Sequence, residues 1–394
     1  MYWFKRKKDV TPSINGLILP GGGARNAYQA GVLKAIAELL PDGAKNPFPV
    51  ISGTSSGAIN AAVLASNAVR FSEGVRRING IWKNFHCGKV FHADAWSALQ
   101  SGFYWTVAFA TARLGRSAPH ALLDNSPQRE FIESHIRLAR IQHAIDTGAL
   151  RALSVTASSY SSGHSFSYFQ GVDELIPWQR TRRQGVAQEI SIDHLMASSA
   201  IPLVFPAVWL NNEYHGDGSM RESAPLSSAI HLGANRLLII GVRNPVLDAT
   251  PGAGEYVPYP TIGQITGYML DTLFMDRLDS DIERMTRINH LLGETNARSV
   301  EHEDTILRPI EFLMISPSKD VREIAERHAN AFPRAAQVLL KGLGALAHEG
   351  RPLLSYLLFE APFCREMIEL GYQDGLANRS EIAQLLDIED SAAV

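Results

Sequence analysis

The chain has 394 residues, of which 45% are hydrophobic and 20% are charged, so it is long enough to bury a large core. Its formal net charge of −3 argues against a protein that binds nucleic acid through a basic surface. Cys87 and Cys364 are too few for a disulfide framework or a CxxC metal site, and we expect two free thiols.

The N-terminal residues contain a basic cluster, Lys5 to Lys8, without the apolar segment of a secretory signal peptide after it. No run in the sequence reaches the ~18 apolar residues of a membrane-spanning helix. The best candidate, residues 103–112, is too short. We expect a cytoplasmic protein whose basic cluster is either a solvated terminus or a contact with the inner face of a membrane.

The first quarter of the chain predicts the opening of a parallel α/β sheet. Residues 14–19 (INGLIL) form a short apolar run typical of a buried strand, which a proline and three glycines end. Apolar residues with helical spacing follow at 28–40, and a Pro-Asp-Gly sequence ends that helix. A second strand is predicted at 49–51 and a helix of small residues at 56–69. Strand, turn and helix, repeated, begin a parallel sheet.

Further elements follow in the rest of the chain. Four more strands are predicted, at residues 152–159, 164–169, 236–242 and 310–315. A hairpin that crosses Asn211-Asn212 is predicted at 208–214. Helices are predicted over most of 71–151, at 192–200 and, as one long amphipathic helix, at 268–292. Residues 248–260 read as a loop rich in Pro and Gly, and helices from residue 318 onward form a C-terminal cap.

Residues 53–57 (Gly-Thr-Ser-Ser-Gly) have the pattern of a nucleophile elbow, with Ser55 at its centre. In such an elbow the serine lies on a strained turn between a strand and a helix, and small residues on both sides avoid Cβ clashes. The pattern is weak in a chain with 31 glycines, but here a predicted strand precedes it and a predicted helix follows it. We therefore expect Ser55 to be a nucleophile.

Residues 21–25 (Gly-Gly-Gly-Ala-Arg) also lie between a predicted strand and a predicted helix. Consecutive glycines let backbone N–H groups point at one anion, either a nucleotide phosphate or the oxyanion of acyl transfer. Residue 26 is Asn and no Gly-Lys-Ser/Thr sequence occurs, so the oxyanion hole is favoured. Arg25 is interpreted as support for this loop, as a contact with a lipid phosphate, or as a surface charge.

A serine nucleophile needs a base, and none of the 13 histidines occupies a strand end that marks a triad. Residues 216–219 (Gly-Asp-Gly-Ser) place Asp217 between two glycines, after the predicted hairpin. Taken alone, this segment is more typical of a turn than of a catalytic site.

With these blocks in order, the sequence resembles the patatin-like phospholipases over roughly residues 14–243. The first block is residues 19–33 (LPGGGARNAYQAGVL), the second is 53–57, and the third is 216–218, preceded by residues 197–202 (ASSAIP). The resemblance implies an α/β fold of three layers: a mainly parallel central sheet, helices on both of its faces, and a helical C-terminal appendage.

The resemblance also implies a division of the chain and a reaction. The segments are a basic N-terminal segment at 1–13, the catalytic core at 14–245, and a C-terminal extension of strands and helices at 246–394. The reaction is hydrolysis of lipid carboxylic esters, of phospholipids or lysophospholipids, by a Ser-Asp dyad in place of a triad. It requires no metal and no cofactor. A lipid substrate, peripheral membrane contact and no nucleic acid are the expected partners.

The site expected from this resemblance has ten residues. They are the catalytic Ser55 and Asp217, the oxyanion donors Gly21, Gly22, Gly23 and Ser56, and the supporting residues Gly53, Gly57, Arg25 and Gly218. A carboxylate with a pKa of about 4 is a weak base, so Asp217 requires burial to raise its basicity.

Two departures from the family pattern bear on this site. Asn26 stands where a third spaced glycine is common, and we expect it to keep the loop geometry because Asn tolerates positive φ. Ser219 replaces a Gly or Ala, with little expected effect. Two other functions stay open: a nucleotide-binding protein that uses the loop Gly21–Gly23, and a lipid-binding scaffold without turnover. The aromatic stretch 96–109 is interpreted as a helical core face or as an interfacial lid.

Overall fold

The computed structural model of the protein describes residues 3–4, 13–91, 121, 123–244, 259–294, 300–302, 305–342, 344–346 and 350–388. The basic cluster at residues 5–8, the aromatic stretch at 96–109 and most of the loop predicted at 248–260 lie outside these ranges. Within them, no helix combines the length and the apolar character that crossing a membrane requires.

The strands within the described ranges are short. They are β1 (Trp3–Phe4), β2 (Asn15–Leu19), β3 (Val50–Thr54), β4 (Ala152–Ser159), β5 (Ser165–Gly171), β6 (Trp178–Arg180), β7 (Arg183–Ala187), β8 (Val208–Leu210), β9 (Glu213–Asp217), β10 (Arg236–Ile240), β11 (Val300–His302), β12 (Thr305–Leu307) and β13 (Glu311–Ile315).

Helices occupy much of the remaining described chain. They are α1 (Ala27–Leu39), α2 (Ser56–Ala65), α3 (Phe71–Lys83), α4 (Ser126–His135), α5 (Ala139–Asp146), α6 (Ile192–Ser198), α7 (Ser227–His231), α8 (Ile262–Asp271), α9 (Arg277–Glu294), α10 (Val321–Arg327), α11 (Arg334–Gly342), α12 (Arg351–Leu357), α13 (Ala361–Ala377) and α14 (Arg379–Leu385).

The main sheet has the strand order β1-β13-β10-β2-β3-β4-β5-β7-β6, with β9 also paired to β4 and β8 paired to β9. The five central strands, from β13 to β4, are all parallel. Antiparallel pairs and one further parallel pair, β5 with β7, extend the sheet outward from this centre. The mixed α/β fold with a mainly parallel central sheet is as the sequence predicted.

The central strands are buried on both faces, because their side chains alternate between two separate cores. In β10, Leu238 and Ile240 belong to the larger core, and Leu237 and Ile239 belong to the smaller one. Helices α1, α2, α3 and α13 contribute to the larger core, whereas α7 and α9 contribute to the smaller one. Each face of the sheet is therefore covered by helices.

The C-terminal region is closely joined to the first helix. Helix α13 packs on α1 so tightly that a Cβ at Gly31 would lie 2.0 Å from the carbonyl oxygen of Ile368, and one at Gly371 would lie 2.1 Å from that of Tyr28. The Tyr28 hydroxyl donates a 2.9 Å hydrogen bond to Asp374 Oδ2. The strand β13, which lies C-terminal to all three sequence blocks, is part of the main sheet.

The single long helix predicted at 268–292 is helical throughout, but the helical run begins earlier, at Ile262, and contains a π-helical turn. Helix α8 ends at Asp271, a π-helical turn spans residues 272–276, and α9 begins at Arg277. Helix α2 also ends at Ala65, before the predicted residue 69, and the short strands β6, β7, β11 and β12 gave no signal in the sequence. Both cysteines are free and buried, as expected.

Candidate active site

Ser55 lies between the last residue of β3 and the first residue of α2, at the carboxyl end of a central parallel strand. Its backbone has φ 55° and ψ −131°, a strained conformation for a residue with a side chain. The Ser55 N–H donates a 2.9 Å hydrogen bond to Ser198 Oγ, which in turn donates to the carbonyl oxygen of Thr156 at 2.6 Å. Helix α6 and strand β4 therefore hold the turn in place.

Gly53 and Gly57, on either side of Ser55, must be glycines because other backbone atoms lie too close to them for a side chain to fit. A Cβ at Gly57 would lie 2.1 Å from the carbonyl oxygen of Leu19, at the end of the neighbouring strand β2. One at Gly53 would lie 2.6 Å from the carbonyl oxygen of Gly57 and 2.7 Å from the Cα of Ala58. All three distances are shorter than those of real Cβ contacts, so a side chain at either position would displace the turn that carries Ser55.

Asp217 is the last residue of β9, where it is paired with Ala157 of β4. Its N–H donates to the carbonyl oxygen of Ala200 at 2.9 Å, and its Oδ1 accepts a 2.9 Å hydrogen bond from the Ser219 N–H. Its Oδ2 is buried and has no hydrogen-bond partner of normal geometry within the described chain.

The environment of Asp217 makes its carboxylate a stronger base. Burial raises the pKa of Asp217 to about 6, and interactions with the hydroxyl of Ser55 and with Ser219 limit that rise. A general base needs a pKa that is raised in this way. The hydrogen bond with the Ser55 hydroxyl also indicates that the predicted nucleophile and the predicted base interact.

The glycine loop runs from the end of β2 to α1. Gly22 is extended, whereas Gly23 has φ +58°, and a Cβ there would lie 2.3 Å from the carbonyl oxygen of Tyr356. Gly21 packs against the ring of Phe274 and the hydroxyl of Ser219. Of the four predicted oxyanion donors, Gly23 and Ser56 line the same cavity as Ser55, and Gly21 and Gly22 lie in the loop that leads to it.

That cavity has mainly apolar walls. Its wall next to Ser55 is formed by Gly23, Ser56 and Asn60. The remaining walls are mostly large aliphatic and aromatic side chains, among them Ile59, Val63, Ile81, Trp82, Phe85, Val90, Phe131, Ile201, Phe205 and Phe359. Such a cavity accepts a hydrocarbon chain much more readily than a charged group.

The sequence model described as Patatin-like phospholipase matches residues 17–230, more than half of the 394 residues. The chain belongs to the patatin-like phospholipase family. The matched region contains Ser55, Asp217 and the whole glycine loop.

Three known proteins illustrate the relationship. The lysophospholipase nte1 of Aspergillus terreus (strain NIH 2624 / FGSC A1156) is 49% identical over 53 residues, which are 14% of this chain and 3% of that protein. The crystal structure of VipD from Legionella pneumophila has 12% identity and a TM-score of 0.39, over 95% of this chain and 67% of that one. Human GIVD cytosolic phospholipase A2, in complex with methyl gamma-linolenyl fluorophosphonate and terbium chloride, has 13% identity and a TM-score of 0.43, over 95% and 59%. The chain thus spans a small fraction of the curated relative and part of each solved structure.

Asn26 adapts the patatin-like glycine loop in a way that the sequence did not predict. It is helical, with φ −69° and ψ −7°, so no positive φ is needed at this position. Its Nδ2 donates to the carbonyl oxygen of Pro20 at 2.9 Å, as Gln29 Nε2 does at 3.1 Å. Asn60 Nδ2 donates to Gln29 Oε1 at 2.9 Å. The amide side chains of Asn26, Gln29 and Asn60 therefore form a hydrogen-bonded network that supports the loop.

Arg25 is completely buried in this patatin-like protein, which excludes the surface charge that its helix position allowed. Its Nη1 donates to Asp271 Oδ1 at 2.9 Å, and its Nε donates to Ser355 Oγ at 2.9 Å. The guanidinium also lies 3.7 Å from the ring centre of Tyr356, whose hydroxyl donates to Asp271 Oδ1 at 2.7 Å. Arg25 thus ties the glycine loop to α8 and α12. Burial opposes ionisation of Asp271, but Arg25 and the Tyr356 hydroxyl hold its pKa below the usual value.

Glu222 is a buried carboxylate that sequence reasoning missed. Its Oε2 accepts a 2.7 Å hydrogen bond from the hydroxyl of Thr54, the residue directly before Ser55. Burial raises the pKa of Glu222 to about 7; the Thr54 and Thr156 hydroxyls oppose the rise, and the charge of Asp217 adds to it. Glu222 and Asp217 are thus two interacting buried carboxylates.

His215 is close to Asp217 in sequence but is engaged elsewhere. Its Nε2 is 3.0 Å from the Tyr168 hydroxyl, and its Nδ1 is 3.1 Å from the carbonyl oxygen of Glu213. Burial lowers the pKa of His215, so its neutral form is favoured. With both ring nitrogens hydrogen-bonded in this way, His215 is a structural residue.

Proposed function

We propose that this chain is a lipid acyl hydrolase that cleaves carboxylic esters through a Ser55–Asp217 dyad and a covalent acyl-enzyme. The observation that carries the proposal is the position of Ser55. It lies on a strained elbow, beside a buried carboxylate with a pKa of about 6, and lines an apolar cavity. A nucleophile, a base of raised basicity and an apolar space next to them are the components that ester hydrolysis of a lipid needs.

In the first half of the reaction, Ser55 Oγ attacks the ester carbonyl carbon while its proton passes to the Asp217 carboxylate. Backbone N–H groups stabilise the resulting oxyanion. Gly23 and Ser56 are the first candidates, because they line the cavity with Ser55, and Gly21 and Gly22 are the next. The intermediate collapses as the alcohol oxygen leaves with the proton from Asp217, and the acyl group stays on Ser55.

In the second half, water attacks the acyl-enzyme carbonyl and gives its proton to Asp217. The second tetrahedral intermediate releases Ser55 Oγ, which recovers the proton, and the carboxylic acid leaves. Every proton is taken and returned by Asp217, so the dyad needs neither a histidine nor a cofactor for this sequence of steps.

The cavity supports long acyl chains as the substrate group. Each methylene that it removes from water contributes about 0.8 kcal/mol to binding. The name of the lysophospholipase relative supports phospholipids and lysophospholipids as the substrate class. The same cavity argues against the nucleotide-binding alternative, because its aromatic and aliphatic walls suit a hydrocarbon chain and offer little to a triphosphate.

We also propose peripheral contact with a lipid surface, and a cytoplasmic location. Helix α8 supports the contact: Ile262, Tyr268 and Met269 are more than half exposed on it. The same helix ends at Asp271, the partner of Arg25, and Phe274 in the next turn packs on Gly21. An exposed apolar face on a helix that also contacts the glycine loop would bring the site to the layer that holds the substrate.

A fluorophosphonate probe tests the catalytic proposal, since it phosphonylates only an activated nucleophile. We expect the adduct on Ser55 by mass spectrometry, and we expect Ser55→Ala and Asp217→Asn to lose at least about a thousandfold in p-nitrophenyl ester turnover. Ser66→Ala is the matched control: this buried serine directly follows α2, and its hydroxyl donates to the carbonyl oxygen of Val63 and accepts from Asn67 Nδ2. An adduct on another serine, or full activity of Asp217→Asn, would contradict the dyad; vesicle binding without any adduct would favour a scaffold.

A further inference from the structure

The apolar cavity next to Ser55 contains one amide side chain whose role the proposed mechanism does not explain. Gln128, in α4, lines the cavity and is only 5% exposed. Its Nε2 donates a 2.8 Å hydrogen bond to Ser199 Oγ. The Ser199 hydroxyl in turn donates a hydrogen bond to the carbonyl oxygen of Leu195, also at 2.8 Å. These two bonds fix the orientation of the amide, because Ser199 can only accept from Gln128.

With the amide oriented in this way, its nitrogen is hydrogen-bonded and its oxygen is not, within the described residues. Gln128 Oε1 is buried and has no hydrogen-bond partner within the described residues. Ser56 Oγ, in the same cavity, is likewise buried without a partner there. A buried carbonyl oxygen without a donor destabilises a protein, so such groups usually mark a place that a ligand or a water completes.

The position of Gln128 within the cavity limits which part of a substrate can reach it. Its partner Ser199 directly follows Ser198, whose Oγ accepts from the Ser55 N–H. Gln128 is thus next to the wall that carries the nucleophile. Phe131, three residues further along α4, packs edge-on against Phe85 at 5.3 Å and belongs to the aromatic wall. Helix α4 therefore contributes a hydrogen-bond acceptor and an aromatic ring to the cavity that Ser55 also lines.

We propose that Gln128 Oε1 accepts a hydrogen bond from a free hydroxyl of the substrate, a few atoms from the reacting ester carbonyl. Gln128 is then a specificity-determining residue that favours esters with such a hydroxyl over esters in which it is absent. This inference rests on the proposed ester hydrolysis at Ser55. A site with a buried acceptor discriminates in this way because the substrate without the donor leaves the acceptor unpaired.

Two kinds of lipid ester supply this hydroxyl. In a lysophospholipid it is the free alcohol of the glycerol, on the leaving-group side of the ester. In a 3-hydroxyacyl ester it is on the acyl chain itself, two carbons from the carbonyl. Both offer an O–H donor at similar distance from Ser55 Oγ, and matched pairs of substrates distinguish them.

The experiment compares kcat/KM within each pair for the wild-type protein. The first pair is 1-palmitoyl lysophosphatidylcholine and its 2-deoxy analogue. The second is p-nitrophenyl 3-hydroxyoctanoate and p-nitrophenyl octanoate. In one pair we expect the hydroxyl substrate to be preferred by about tenfold, the usual size of one neutral hydrogen bond. The pair that shows the preference identifies the source, and equal rates in both pairs would overturn the inference.

Gln128→Met tests whether the side chain causes the preference, since it keeps the length and removes the acceptor. We expect it to lose about tenfold on the hydroxyl substrate and little on its partner. Ile81→Val, on the same cavity wall, is the control and should change both substrates alike.

The outcomes separate this inference from the proposed function. If Gln128→Met keeps the wild-type preference, a water satisfies the amide oxygen and the inference is wrong, although hydrolysis at Ser55 stands. If the wild-type protein hydrolyses none of the four esters, the proposed function itself has failed. Melting temperatures identify a variant that does not fold. In that case the substrate preference of the wild-type protein alone decides whether the inference holds.

Discussion

The hydroxyl of Thr54 donates a 2.7 Å hydrogen bond to the buried carboxylate of Glu222. Thr54 precedes the proposed nucleophile, and Glu222 follows the proposed base by five residues, so this bond joins the two halves of the site. Glu222 also interacts electrostatically with three other charged groups. They are Asp281 in α9, Arg277 at the N-terminal end of α9, and Arg183 in β7. Its protonation state is therefore part of the electrostatics of the dyad.

The first prediction concerns the pH dependence of turnover. The pKa of Asp217 is about 6 and that of Glu222 about 7. Asp217 must be ionised to act as a base, so kcat/KM should rise as the pH increases through about 6. Ionisation of Glu222 places a second negative charge nearby, which raises the basicity of Asp217 and adds a second rise near pH 7. The pH profile of ester hydrolysis between about pH 5 and 9 measures both steps.

Glu222→Gln separates the two steps, because it keeps an acceptor oxygen for Thr54 and cannot ionise. We expect the variant to retain the rise near pH 6 and to lose the one near pH 7. A single rise in the wild-type protein, unchanged in Glu222→Gln, would show that Glu222 has no influence on the dyad.

The second prediction concerns stability, and it follows from the raised pKa of Asp217. Because the carboxyl takes up its proton at higher pH in the folded protein than in the unfolded chain, folding is favoured as the pH falls from about 6 to about 4. Above pH 6 the buried charge destabilises the fold. Asp217→Asn should then be more stable than the wild type by up to about 3 kcal/mol at pH 8, with the difference vanishing near pH 4.

Urea unfolding of both proteins at the two pH values measures this effect. Asp42→Asn, at an exposed position, is the control for the loss of one negative charge. If Asp217→Asn were less stable than the wild type at pH 8, the Asp217 carboxylate would have to be better paired in the folded protein than its unpartnered Oδ2 indicates.

The third prediction concerns Gly57. A Cβ there meets two backbone oxygens, at 2.1 Å from Leu19 and at 2.6 Å from Pro20, and neither can move without shifting β2. Gly57→Ala is expected to destabilise the protein by about 3 kcal/mol or more and to abolish labelling of Ser55. Gly80→Ala in α3 is the matched control, because nothing lies within 4 Å of its Cβ, and it should stabilise by up to about 1 kcal/mol. Thermal unfolding of both variants tests the contrast.

The strands that position this site were predictable because a parallel strand buried on both faces is a continuous apolar run. The runs at 14–19 and 236–242 correspond to β2 (Asn15–Leu19) and β10 (Arg236–Ile240). The turn residues Asn211 and Asn212 also marked the hairpin correctly, since both have positive φ. In each case the signal lies within a few residues and does not depend on distant contacts.

Features that depend on distant contacts were not predictable. Glu222 stands between Arg221 and Ser223 like an ordinary surface acid, and its partner Thr54 is 168 positions away in sequence. The π-helical turn between α8 and α9 gave no signal in the sequence, because Leu270, Phe274 and Leu278, spaced by four, are all buried across it. The π-helical turn changes the backbone hydrogen bonds and not the apolar pattern, so the sequence continues to look like one helix.

The fourth prediction concerns the exposed face of α8. Tyr268→Glu and Ile262→Glu are each expected to weaken binding to anionic phospholipid vesicles by about tenfold, because each replaces an apolar contact with a charge. Turnover of a soluble p-nitrophenyl ester should not change. Ile176→Glu, an equally exposed apolar residue between β5 and β6, is the control. Vesicle sedimentation measures the binding, and equal losses in all three variants would exclude α8 as the contact.

The fifth prediction concerns Arg25, whose three nitrogen atoms donate to Ser355, Asp271 and the carbonyl oxygen of Pro352. A lysine cannot reproduce this planar arrangement or its contact with the Tyr356 ring, so Arg25→Lys should destabilise the protein by about 3 kcal/mol. Arg25→Met leaves Asp271 as an uncompensated buried charge and should be at least as harmful. Adding Asp271→Asn to Arg25→Met removes that charge and should recover part of the stability, whereas additive losses in urea unfolding would contradict the pairing. Since Arg25 ends the glycine loop, the rate at which a fluorophosphonate labels Ser55 should fall in Arg25→Met even where the variant remains folded.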